Sequence, residues 1–182
     1  MAKQVVLFHS ALGLRAVEHS AARLLRADGH EVHLPDLYDG RVAADLDSGL
    51  NLMREVGWDA ICDRARIAVR DLPDDTVLMG ISMGAGVVGE IWKDRAAPGA
   101  VVLIHGHTSV PPTPSARTRV ELHAGSNDSF VELAPWTRAA AGLDQVVWEY
   151  LGVGHFFTDP ESPDYDPGAA ELLWERVRAA VR

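Results

Sequence analysis

The chain has 182 residues, 47% hydrophobic and 24% charged, which suits one globular domain with a sizeable core. Its net charge of −9 argues against nucleic acid or an anionic membrane surface as a main partner. The lone Cys62 excludes an intramolecular disulfide and fits a reducing compartment. With no signal peptide and no run of about 20 apolar residues, a cytoplasmic location is expected.

Strand and helix alternate along the chain. Residues 5–8 are an apolar strand that leads through His9-Ser10-Ala11-Leu12-Gly13 into a helix. The expected core stripe of that helix is Val17, Ala21, Leu24 and Leu25, with a stop at Gly29. Residues 31–34 form a strand, followed by the turn Pro35-Asp36-Leu37-Tyr38-Asp39-Gly40. Residues 50–72 read as one long helix, in which Cys62 is a small buried residue rather than a nucleophile. Residues 76–79 are a strand and 85–93 a helix. Residues 100–104 are fully apolar, as in the buried middle of a parallel sheet. Residues 106–116 hold three of the ten prolines and read as a loop. Then come a strand at 120–122, a helix at 131–141, and a half-apolar edge strand at 145–150. The last helix opens at Asp166-Pro167 and should bury Leu172, Leu173, Val177 and Val181. Six strands alternating with helices predict a doubly wound α/β domain over 1–182. Its sheet should be mostly parallel, with helices on both faces and no lid domain.

The most informative motif is Gly80-Ile81-Ser82-Met83-Gly84, set between a strand and a helix. That context lifts a serine onto a sharp turn as a nucleophile, with small flanking residues to avoid backbone collision. A serine hydroxyl needs a histidine to take its proton and an acid to orient the histidine. Asp128 follows the strand ending near Leu122, and His155 follows the strand ending at Tyr150. Order and strand-end placement make Ser82, Asp128 and His155 the candidate catalytic set. Met83 opens the next helix, so its N–H faces the site of oxyanion formation.

Competing patterns are weaker. Gly84-Ala85-Gly86-Val87-Val88-Gly89 matches a dinucleotide fingerprint, but three residues separate it from its strand and no acid ends the next strand. His105 and His107, with His9 and His123, lack the ligand set of a catalytic metal. No metal and no cofactor are therefore expected. Asp159, Glu161, Asp164 and Asp166 read as a solvated loop with helix-capping acids. Phe156 and Phe157, directly after His155, are candidates to line a substrate pocket.

With these residues placed, the chain resembles the dienelactone hydrolase family of α/β-hydrolases over nearly its whole length. The marks are Pro35-Asp36-Leu37-Tyr38, Gly80 to Gly84, Gly125-Ser126-Asn127-Asp128, Gly154-His155-Phe156-Phe157 and the closing stretch from Tyr165 to Trp174. The resemblance implies that Ala11 supplies a second oxyanion N–H beside Met83, and adds Ser10, Tyr38 and His105 to the pocket candidates. The chain departs from the best-known members by carrying Ser82 where they have a cysteine nucleophile, and Ser10 where they have a glutamate. It also enters at what would be their third strand. The implied activity is hydrolysis of a small carboxylic ester or lactone through an acyl-enzyme. A second reading keeps the fold but makes it a small-molecule binding module with a vestigial triad. A homo-oligomer is compatible with either.

Overall fold

A computed structural model describes residues 2–182. Six strands form one sheet: β1 (Gln4–Phe8), β2 (Glu31–His33), β3 (Val77–Ile81), β4 (Ala100–Ile104), β5 (Arg119–Gly125) and β6 (Asp144–Tyr150). The helices are α1 (Ala16–Ala27), α2 (Leu46–Val56), α3 (Trp58–Val69), α4 (Met83–Trp92), α5 (Leu133–Ala139) and α6 (Pro167–Val181). The strand order is β2-β1-β3-β4-β5-β6 and every pairing is parallel. This is the doubly wound α/β arrangement, and no separate lid domain interrupts it among the described residues.

The two-residue period of a strand divides the core between the faces of the sheet. Val6, Phe8, Leu78, Val101 and Leu103 pack with residues of α3 and α4 on one face. Val5, Leu7, Val77, Met79 and Val102 pack with residues of α1 and α6 on the other. The central strands β3 and β4 are buried at every position, whereas β6 at the edge is largely half-exposed.

Three expectations need correction. The segment 50–72 is two helices, because Gly57 adopts φ +85°, a conformation side-chain-bearing residues avoid. The first of them begins earlier, at Leu46, where Asp45 accepts the Ser48 N–H at 2.8 Å as an N-cap. Leu24 and Leu172 point outward, at 39% and 40% exposure. The buried stripe of α1 runs instead through Val17, Ala21, Ala22 and Leu25, and that of α6 through Ala170, Leu173, Val177 and Val181.

The strand order reverses between β1 and β3. In parallel sheets such a switch point opens a crevice at the carboxyl ends of the strands. The turns leaving β1 and β3 carry Ala11 and Ser82 to that crevice.

Candidate active site

Ser82 is the single residue between β3 and α4. It sits at φ 53° and ψ −112°, a strained conformation that costs about 1–3 kcal/mol. Its neighbours explain how the turn closes. A Cβ at Gly80 would lie 2.2 Å from the Gly84 carbonyl oxygen, and one at Gly84 would lie 2.3 Å from that of Phe8. The Ser82 N–H donates to the Ile104 carbonyl at 2.8 Å, tying the turn to β4.

Ser82 Oγ lies 2.9 Å from His155 Nε2, and His155 Nδ1 lies 2.8 Å from Asp128 Oδ2. The Asp128 side chain is fully buried, and its second oxygen accepts the Phe130 N–H at 2.9 Å. An ionised Asp128 accepts from Nδ1–H, which leaves the Nε2 lone pair facing the Ser82 hydroxyl. The loops that carry the two residues interlock. Ser126 and Asn127 N–H donate to the Tyr150 and Val153 carbonyls at 2.8 and 3.1 Å. A Cβ at Gly125 would lie 2.3 Å from the Val153 carbonyl oxygen. Asp164 accepts the His155 backbone N–H at 3.1 Å, and the Phe130 ring lies 4.8 Å from the imidazole.

The Met83 N–H, first of α4, and the Ala11 N–H have no protein acceptor among the described residues. The turn carrying Ala11 is held from below. His9 Nδ1–H donates to the Ser10 carbonyl at 2.7 Å, while its Nε2 accepts the Leu37 N–H at 3.0 Å. Burial lowers the His9 pKa, which keeps the ring neutral, as the accepting Nε2 requires. Glu18, wholly buried in α1, accepts the Ser10 N–H at 3.3 Å and the Arg15 N–H at 2.9 Å, clamping both ends of the turn. Burial raises the Glu18 pKa to about 7 against the lowering effect of those N–H groups, and nearby Asp159 adds to the rise.

The five pocket candidates separate. His105 and Phe156 line cavities at the site. His105 is fully buried at φ 54°, with Nε2 2.8 Å from Thr158 Oγ1, and burial holds its pKa well below the ordinary value. Ser10, Tyr38 and Phe157 do not line these cavities. The Ser10 hydroxyl is turned inward to accept the Leu12 N–H at 3.2 Å. Tyr38 is buried and donates to Met83 Sδ at 3.0 Å, which places it behind the site. Phe157 packs into the core between His105 and Tyr150.

Two cavities meet at His155. An apolar one of about 480 Å³ reaches Ser82 and is walled by Leu46, Leu50, Met53 and Trp58. A polar cleft of about 660 Å³ reaches His155 and Asp128 but not Ser82. Phe130 and Leu46 border both. The wall residues Leu46, Leu50 and Met53 were not singled out by the sequence, since the expected helix began only at residue 50; Glu18, Phe130 and Trp58 left no sequence signal.

The other patterns have structural uses. A Cβ at Gly89 would lie 1.8 Å from Thr108 Oγ1, so Gly84 and Gly89 allow close packing of α4. Asp159 is buried and pairs with Arg15 at 3.2 Å, rather than being solvated, and Asp166 caps α6. Among the described residues, no group of three or more His, Cys, Asp or Glu side chains is arranged to hold a metal ion. No helix among them is long and apolar enough to cross a membrane.

The model of the dienelactone hydrolase family matches residues 1–181. No curated protein matches the sequence. Among solved structures, the chain is similar to a dienelactone hydrolase-like promiscuous phosphotriesterase from metagenomic libraries. Identity is 23%, covering 98% of this chain and 85% of that one, with a TM-score of 0.74. It is also similar to a proposed dienelactone hydrolase from Klebsiella pneumoniae, at 17% identity, 99% and 86% coverage and a TM-score of 0.75. A third likeness, to a metagenome-derived lipolytic enzyme, has 13% identity, 100% and 95% coverage and a TM-score of 0.69. At these identities the solved structures speak for the fold.

Proposed function

Because the chain belongs to the dienelactone hydrolase family, and so is a hydrolase of the α/β type, we propose that it is a serine hydrolase of carboxylic esters or lactones. The observation that carries this reading is the chain of contacts from Ser82 Oγ through His155 to Asp128, at 2.9 and 2.8 Å. His155 Nε2 takes the hydroxyl proton as Ser82 Oγ bonds to the substrate carbonyl carbon. Asp128 fixes the tautomer and stabilises the imidazolium. The Met83 and Ala11 N–H groups receive the oxyanion. As the carbon–oxygen bond to the alcohol breaks, His155 returns the proton to the departing oxygen. Water, activated in turn by His155, releases the acid and restores Ser82. These steps call on no metal or cofactor, and on this reading the site is that of an enzyme rather than a binding module with a vestigial triad.

The test is incubation with a fluorophosphonate probe followed by intact-mass and peptide analysis, beside turnover of p-nitrophenyl acetate. One adduct on Ser82 is expected, with turnover abolished in Ser82→Ala and reduced on the order of 10²–10⁴-fold in His155→Ala. Wild-type turnover in either variant sinks the assignment. Absence of both adduct and turnover would return the fold to the binding-module reading.

A further inference from the structure

The two cavities at His155 differ in kind, and the chemistry assigns each to one half of an ester. In the tetrahedral adduct, the former carbonyl carbon is bonded to Ser82 Oγ and its oxyanion points at the Met83 and Ala11 N–H groups. The departing oxygen has to lie within hydrogen-bond reach of His155 Nε2 to receive its proton. His155 lines the polar cleft as well as the apolar cavity, and the polar cleft does not reach Ser82. The apolar cavity contains Ser82, Met83 and Gly86. The alcohol half therefore leads past His155 into the polar cleft, and the acyl half stays in the apolar cavity.

The apolar cavity has a defined wall. Leu46, Leu50 and Met53 share one face of α2, at the spacing that stacks side chains along a helix. Trp58, the first residue of α3, lines the same cavity, delivered there by the turn at Gly57. Its ring lies over Gly86 of α4, so close that a Cβ on Gly86 would be 3.1 Å from the ring edge. No Asp, Glu, Lys or Arg side chain lines this cavity. Its ionisable side chains are the imidazoles of His105, His107 and His155, so a carboxylate on the acyl chain would be desolvated there with no Lys or Arg to pair with it.

Resting on the serine-hydrolase reading, we propose that the substrates are esters of linear, uncharged acyl chains, and that Trp58, seated on Gly86, sets the acyl length accepted. The bonds made and broken are those of that reading; the cavity selects which acyl group reaches Ser82. Burial of each added methylene favours the transition state until the chain meets the indole, after which further length has to displace it.

The experiment compares kcat/KM for the p-nitrophenyl esters of acetate, butyrate, hexanoate and octanoate, and for the half-ester of succinate. In wild type, kcat/KM rises about fourfold per methylene, the equivalent of ~0.8 kcal/mol, and then falls beyond a maximum. Trp58→Ala moves that maximum to longer chains. Gly86→Ala moves it to shorter ones by pressing a methyl group against the indole. The succinate half-ester falls about tenfold or more below butyrate. Should Trp58→Ala not fold, Gly86→Ala and Leu50→Phe carry the test, both shortening the optimum. A flat series, or a maximum that no variant moves, overturns the proposal while Ser82-dependent acetate turnover leaves the hydrolase reading standing. Absence of any ester turnover and of any probe adduct removes that reading, and the proposal with it.

Discussion

Two buried glutamates, one in α1 and one on β5, have been driven in opposite directions. Glu18 lies beneath the Ala11 turn and Glu121 lies on β5 beside the sheet edge, with 0% and 2% exposure. Burial pushes both carboxyls up. At Glu18 burial prevails, and its pKa rises to about 7, because its partners are backbone N–H groups and its charged neighbour Asp159 is another acid. At Glu121 the contacts of His123, Trp148 and Arg119 outweigh burial and bring its pKa to about 2. Arg119 Nε is 2.7 Å from one oxygen and Trp148 Nε1 is 2.9 Å from the other. Depth alone therefore does not set the charge of a buried acid; the side-chain donors within reach of it do. The sheet edge holds a carboxylate that stays ionised. The proposed oxyanion turn rests on one that titrates near neutrality, the kind of perturbation that gathers at functional sites.

The sharpest way to break the comparison is to remove the compensated acid. Glu121→Gln leaves the Arg119 guanidinium with only the longer contact to Asp144, at 3.9 Å. Because Arg119 is 40% exposed, the expected loss is about 2–3 kcal/mol rather than the larger cost of a fully buried pair. Urea unfolding measures it, and turnover per folded molecule stays at the wild-type level.

The pH dependence follows from the signs. Glu18 has a folded pKa near 7 against an ordinary 4.5, so the folded chain binds more protons between those values. Its contribution to stability therefore falls as pH rises through that window, by roughly 2–3 kcal/mol. Glu121 has a folded pKa near 2 against 4.5, so its contribution is full above 4.5 and is lost as pH falls toward 2. Denaturant unfolding at pH 5 and pH 8 should show Glu18→Gln losing less stability than wild type on going to the higher pH. An identical change in both proteins would mean that Glu18 does not titrate in this window.

A third difference lies in activity. Glu18→Gln replaces one accepting oxygen by an amide and loosens one end of the Ala11 turn. We expect about a tenfold fall in kcat/KM for p-nitrophenyl acetate, carried by kcat, since the turn is proposed to hold the oxyanion of the transition state. An unchanged kcat would put Glu18 in the same structural role as Glu121. The smallest effect is at Arg176, whose guanidinium lies 4.1 Å from the centre of the Trp148 ring. Arg176→Met should cost about 0.5–1 kcal/mol in thermal unfolding and leave turnover as it is.

The same contrast bounds what the sequence could disclose. Strand and helix alternation was legible because apolar runs and glycine stops mark it directly. The order of Ser82, Asp128 and His155 was legible because turns after strands are local in sequence. The break at Gly57 was not, since a glycine within a helical pattern signals a conformation only once its φ is known. Leu24 and Leu172 misled because adjacent leucines leave the helix face ambiguous by one position. Tyr38, Ser10 and Phe157 are close to the site in sequence or by resemblance, yet their side chains turn to Met83, to Leu12 and into the core. Glu18 was silent because an acid in the first turn of a helix looks like a dipole partner, and only its burial marks it otherwise. Trp58 and Phe130 reach the cavities across 24 or more positions of chain from Ser82, a distance that periodicity does not span.

The position of β6 has a consequence for how activity would be lost. Ser82 follows a central strand, β3, which is paired on both sides, but His155 follows the edge strand, which is paired only to β5. Edge elements open at lower free energy than the centre of a sheet, often while the rest of the molecule stays folded. Fraying of β6 would withdraw His155, the proposed base, from Ser82, the proposed nucleophile, and leave the Ser82 turn intact. Probe labelling of Ser82 is thus a clock for a partial opening. On mild heating it should fade in step with amide exchange in β6, ahead of exchange in β3 and of the global melting of the sheet.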